Sequence, residues 1–160
     1  MVGVAGSPAF CIDAREVNVA EYRKCAACGA AKEAYWIGPS ATEAARKEQT
    51  ANCTNTRTGL DNYPINCVSY QDAQAYCASL QKRLPRMAEW RAARSSITTC
   101  NEVGGVCPMF EWSADTTSQS GYRGTRGPSF RHATALEGSN VEVARNDDLG
   151  FRCARDPLAR

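Results

Sequence analysis

At 160 residues, 43% hydrophobic and 22% charged, the chain is sized for one globular domain with a modest core. Its formal charge of +2 is too small to point to a polyanion, and nucleic acid is not an expected partner. No apolar run approaches the roughly 20 residues that span a bilayer, so direct membrane insertion of this domain is not expected either.

Residues 1–4 and 10–17 read as strands, the second alternating through Phe10 and Ile12 to Val17. Asn18 and Glu21 then form a capping-box pair, Asn18 as N-cap and Glu21 reaching back from N3. The helix they open places Val19, Tyr22 and Ala26 on one face and stops near Gly29. Periodicity fades over 30–62, where only 41–47 has the pattern of a helical turn or two. Asn52-Cys53-Thr54 in that stretch spells an N-glycosylation acceptor, a motif of very low specificity.

The clearest helix covers 69–80. Ser69 caps it, Asp72 stands at N3, and Ala73, Tyr76, Cys77 and Leu80 recur at i, i+3, i+4 and i+7. Leu84-Pro85 breaks the chain before a second helix over 87–94. Arg86 precedes that helix and cannot accept a backbone hydrogen bond, so the helix start is weaker than a Thr-capped one by roughly 1 kcal/mol. Residues 110–114 and 149–154 read as strands, and the Gly, Pro and Ser of 118–129 as mostly loop.

Nine cysteines beside one histidine are many for a reducing compartment. Only Cys25-Ala26-Ala27-Cys28 has the C-x-x-C spacing, so a zinc site, which wants two such pairs, is not expected. Disulfides in an oxidising compartment are expected instead, with one thiol left over. Cys100 and Cys107 flank Asn-Glu-Val-Gly-Gly-Val and read as a local staple. Cys11 and Cys67 make a further pair, and Cys53 then takes Cys25 or Cys28, which spacing does not decide. Cys25 and Cys28 follow a helix C-terminus, where the dipole disfavours thiolate, so they read as structural. The first residues lack the basic and apolar regions of a signal peptide. Together these imply a domain excised from a longer exported or membrane-anchored protein.

Tyr63-Pro64, Val68-Ser69-Tyr70, Asp72-Ala73, Ala75-Tyr76-Cys77, Lys82-Arg83-Leu84-Pro85 and Ala88-Glu89-Trp90 form an ordered series of motifs. Phe110-Glu111-Trp112-Ser113-Ala114-Asp115 and Gly150-Phe151-Arg152-Cys153 continue it. The series resembles the formylglycine-generating enzyme, or sulfatase-modifying factor, family, a branch of the C-type-lectin-like fold. The resemblance implies one α+β domain over 1–160, with two main helices packed on small twisted antiparallel sheets, loop-rich and disulfide-stapled. It also implies a bond between Cys77 of the Ala-Tyr-Cys helix and Cys153 of the last strand. Closing so long a loop stabilises by about 4 kcal/mol on the chain-entropy model.

Enzymes of this family oxidise a substrate cysteine with oxygen at a copper(I) centre held by two enzyme cysteines, thiolates being the ligands that cuprous ion prefers. Those cysteines fall between an Arg-Gly-Gly-Ser-Trp-like phrase and the terminal Gly-Phe-Arg. The phrase here is Arg126-Gly127-Pro128-Ser129-Phe130, and the next cysteine after it is Cys153. A related branch holds iron with three histidines, whereas this chain has only His132. The family's calcium ligands are depleted as well. Pro108 stands where the Asn of Gly-Asn-Val-Trp-Glu-Trp lies, and Asp115, Asp147 and Asp148 read as surface carboxylates beside arginines. No metal, cofactor or catalytic residue is therefore expected, and a formylglycine-generating-type oxidase is the disfavoured alternative.

What remains is a non-catalytic binding module of an extracytoplasmic bacterial protein, such as the sensor domain of a signalling protein. The alternative within the family is the variable ligand-binding protein of a diversity-generating retroelement. The candidate surface is the segment 121–132, with Tyr122, Arg123, Arg126, Phe130, Arg131 and His132 as its binding residues. It contains no acidic residue, and arginine forks suit carboxylate or phosphate, so a protein, peptide or glycan ligand with anionic character is the expected partner. Lys82, Arg83, Arg86, Arg91 and Arg94 read as structural or solvated rather than as a nucleic-acid patch. Trp90 and Trp112 match core positions of the family, and Trp36 is left open.

Overall fold

The computed structural model describes residues 1–4, 9–98, 107–134 and 137–157. Two small sheets carry the fold. Strands β1 (Val2–Val4), β2 (Phe10–Ile12) and β7 (Ala154–Arg155) form an antiparallel sheet in the order β1-β2-β7. Strands β3 (Phe110–Thr116), β4 (Tyr122–Arg126), β5 (Glu137–Val141) and β6 (Leu149–Gly150) form the larger one, in the order β5-β4-β3-β6. Helices α1 (Val19–Tyr22), α2 (Glu43–Ala51), α3 (Tyr70–Ser79) and α4 (Met87–Ala93) surround them. The α+β class expected from sequence is what the chain adopts, with one departure: β6 runs parallel to β3, pairing Leu149 with Phe110 and Gly150 with Glu111.

The caps read from sequence explain the helix starts. Asn18 Oδ1 accepts from Glu21 N at 2.8 Å, and the Glu21 carboxylate accepts from Asn18 N. Helix α1 nevertheless ends at Tyr22, because the chain tightens into turns that close on Cys25 and Cys28. Helix α2 begins two residues later than expected, behind Thr42, whose hydroxyl accepts from Ala45 N. Ser69 and Asp72 form the second capping box and set α3. Arg86 offers no acceptor ahead of α4, and two carboxylates substitute for the missing cap. Glu89 accepts from Arg86 N at 2.7 Å, and Asp115 accepts from Met87 N at 2.6 Å.

The expected final strand is divided. Leu149–Gly150 belongs to the large sheet and Ala154–Arg155 to the small one, so Phe151, Arg152 and Cys153 bridge the two with no exposed surface. Phe151 meets the Tyr22 and Tyr76 rings edge-on at 6.2 and 5.4 Å between centroids. Cys153 bonds to Cys77 across a Cα–Cα distance of 5.6 Å, clamping α3 to the end of the chain as the resemblance implied.

The other cysteine pairs need correction. Cys67 bonds to Cys53, not to Cys11, and Cys25 bonds to Cys28, not to Cys53. Strand alternation supplies the reason for the first: Phe10 and Ile12 face the core, so Cys11 between them points to the half-exposed face and keeps a free thiol. For the second, the tight turns after α1 bring the Cys25 and Cys28 Cα atoms to 5.5 Å. Cys107 is disulfide-bonded, and the Cys100 half of the expected staple lies outside the described residues.

The segment expected to be loop contains β4. Its glycine is there for packing: a Cβ on Gly124 would come within 2.5 Å of Met87 Sδ and 2.8 Å of Ser113 Oγ. Removing the long-range clamp tests the scaffold. Replacing Cys77 and Cys153 together by Ala is expected to cost about 4 kcal/mol in urea unfolding, and a loss under about 1 kcal/mol would contradict the clamp.

Candidate functional site

The six candidate residues of 121–132 do not converge. By strand alternation Tyr122, Gly124 and Arg126 face the α4 side of the large sheet, and Arg123 and Thr125 the other. Each arginine is engaged internally. Arg123 Nε donates to Glu142 at 2.7 Å, with its guanidinium 4.6 Å over the Tyr70 ring. Arg126 is 4% exposed and paired with Glu137. Arg131 grips both oxygens of Asp147, at 2.8 and 2.5 Å, and lies 5.3 Å over the Phe130 ring. The acid-free stretch in sequence is therefore not an acid-free surface in space, because Glu137, Glu142 and Asp147 fold back onto it.

Only Arg131 and His132 of the six line a cleft. It holds about 530 Å³ between α2 and the large sheet. Trp36 and Gln49 form one wall, Thr125, Ser139 and Asn140 the sheet wall, and Asn146, Asp148 and Phe110 the back. Trp36 is brought there by an isolated bridge in which Tyr35 and Arg145 exchange two backbone hydrogen bonds, of 3.0 and 2.6 Å. Its indole N–H donates to Ser40 Oγ at 3.2 Å, and its carbonyl accepts from Arg46. His132 lies 5.9 Å from the Phe110 ring. Asn140 and Asn146 carry no sequence signal, since isolated polar residues outside periodic segments do not announce a site. Trp36 was visible only as an uncommitted aromatic.

Asp147 and Asp148 are not the surface carboxylates expected from sequence; they are 0% and 4% exposed. Asp147 is satisfied by Arg131 and by Asn52, whose amide donates to Asp147 Oδ2 at 2.8 Å. The amide nitrogen of the glycosylation acceptor is thus tied to a buried carboxylate. Asp148 Oδ2 accepts from Ser129 Oγ at 2.7 Å. Burial, with the Asp147 charge adding to it, pushes the Asp148 carboxyl above its ordinary value.

A copper(I) centre of the kind the resemblance implies needs two thiolates. Six described cysteines are in disulfides, Cys107 is disulfide-bonded, and the free Cys11 sits on β2 in the other sheet. The described residues do not fit that ion. Nor do three or more His, Cys, Asp or Glu side chains gather as a metal site among them.

The family model described as sulfatase-modifying factor enzyme 1-like domain matches residues 4–102, more than half of the chain. No curated protein matches. A solved structure described as "Crystal Structure of CarF" aligns with a TM-score of 0.62 at 15% identity, over 93% of this chain and 87% of that one. That likeness is one of fold.

The raised pKa of Asp148 makes the stability of the fold depend on pH. Its folded-state value lies above the unfolded one, so its stabilising contribution is complete at low pH and is lost as pH rises through the folded value. Asp148→Asn is therefore expected to gain stability relative to the parent between acid and neutral pH. Denaturant unfolding at several pH values measures it, and a pH-independent difference would contradict the assignment.

Proposed function

The chain belongs to the sulfatase-modifying factor family, and on that premise we propose that it is a non-catalytic ligand- or protein-binding module. It acts outside the cytoplasm as part of a longer exported bacterial protein, for instance as the sensor domain of a signalling protein. The observation that carries this reading is the thiol census. The family's oxidation chemistry requires a thiolate pair beside the site, and the cleft wall from Arg131 to Asp148 contains no cysteine at all. The family match itself covers residues 4–102.

The disulfides support the compartment. Cys53–Cys67 and Cys77–Cys153 are wholly buried structural bonds, which persist in oxidising surroundings. A binding role fits the architecture: a disulfide-held frame presents loops and clefts to solvent, the usual division between scaffold and recognition. Because the arginines of 121–132 hold internal carboxylates, recognition falls to the cleft, where Arg131 and His132 contribute.

A peptide containing Cys-x-Pro-x-Arg, incubated with the protein, copper and oxygen and followed by mass spectrometry, tests the absence of catalysis. Unchanged peptide is expected, and formylglycine product would overturn the reading.

A further inference from the structure

We propose that the cleft between α2 and the large sheet binds an uncharged sugar, with pyranose rings lying against Trp36 and His132. The proposal rests on the reading of the domain as a binding module and names its ligand class. Three features of the cleft converge on it.

The first is a set of unspent polar groups. Asp148 is 4% exposed and uses one oxygen on Ser129, leaving Oδ1 with no donor among the described residues. Asn146 Oδ1 is buried without a partner. The side chains of Ser139 and Asn140 on the sheet wall make no hydrogen bond to the described residues, and Ser139 is exposed. A buried acceptor left unpaired costs roughly 1–3 kcal/mol, so such groups favour a ligand that brings hydroxyl donors. Sugar hydroxyls both donate to carboxylate and amide oxygens and accept from amide N–H groups.

The second is the charge. Arg131 is the cationic side chain of the lining, and Asp147 holds it in a two-bond fork. An anion would meet a guanidinium whose charge Asp147 already offsets, and it would face Asp148. A cation would meet Arg131 in the same wall. Near-neutrality and an uncommitted carboxylate oxygen together select an uncharged, hydroxyl-rich molecule.

The third is the rings. Trp36 is half-buried and held by Ser40, while His132 is exposed and backed by Phe110. The C–H face of a pyranose is flat and apolar, and it covers such a ring while its hydroxyl rim stays polar. A volume of about 530 Å³ lies within the roughly 300–1,000 Å³ of small-ligand clefts.

A printed array of neutral hexose and N-acetylhexosamine oligosaccharides, sialylated and sulfated oligosaccharides, and acidic and basic peptides tests it with the folded protein. Neutral oligosaccharides should be retained. Calorimetric titration with the best of them should show Trp36→Ala weaker by on the order of tenfold, about 1.4 kcal/mol. His132→Ala and Asn140→Ala should weaken binding severalfold with unchanged melting, which keeps the test valid should Trp36→Ala fail to fold. Retention confined to charged glycans or peptides would overturn the sugar assignment and leave the binding module standing. Retention of no probe would overturn the sugar assignment as well, and formylglycine product in the peptide assay would overturn the module itself.

Discussion

A guanidinium with no exposed surface sits where four chain segments cross. Arg152 donates from Nε and Nη2 to the two oxygens of Glu111 at 2.6 and 2.7 Å. Its remaining donors reach the carbonyls of Asp13 and Ala14, at 3.1 and 3.0 Å, and of Thr98 at 3.2 Å. Glu16 adds a second carboxylate at 3.5 Å. Taking such a charge out of water costs several kcal/mol, and only close, fully hydrogen-bonded partners offset it. The bridging segment, β3, the link from β2 to α1, and the chain beyond α4 must therefore meet in one arrangement.

The residues on either side of Arg152 act by different physics toward the same end. Phe151 fills the aromatic cluster with Tyr22 and Tyr76, and Cys153 joins α3 covalently. Just upstream, buried Asp148 forms part of the back of the cleft, and buried Asp147 holds Arg131 of its lining. The back wall of the cleft is thus continuous with the most constrained part of the core. Its front, Trp36 and His132, rides on irregular segments. A buried polar floor beneath rings on irregular segments separates recognition from the core.

Local chemistry was legible in the sequence. Ser69 and Asp72, and Asn18 and Glu21, specify their helix starts through bonds within four residues, so no tertiary knowledge is needed to read them. The Gly-Phe-Arg-Cys series pointed to the fold and to the Cys77 clamp. Pairings set by tertiary packing were not legible. Cys53 meets Cys67 because Asn66 ties Thr54, the Asn52 carbonyl and the Asp147 carbonyl together, bonds that span up to 81 residues. Glycine-rich composition disguised β4, whose Gly124 serves close packing against Met87. The arginines of 121–132 looked free because Glu137, Glu142 and Asp147 lie beyond that window and return to it only through β5 and the loop after it.

The dependence of the fold on the buried pair is measured most directly by a double-mutant cycle between Arg152 and Glu111. Arg152→Met and Glu111→Leu, each alone, should lose about 3–5 kcal/mol, because each strands a buried charge. The double variant should lose far less than their sum, leaving a coupling energy on the order of 2 kcal/mol or more. Additive losses, or single losses within about 0.5 kcal/mol of the parent, would contradict the view that this ion pair organises the crossing.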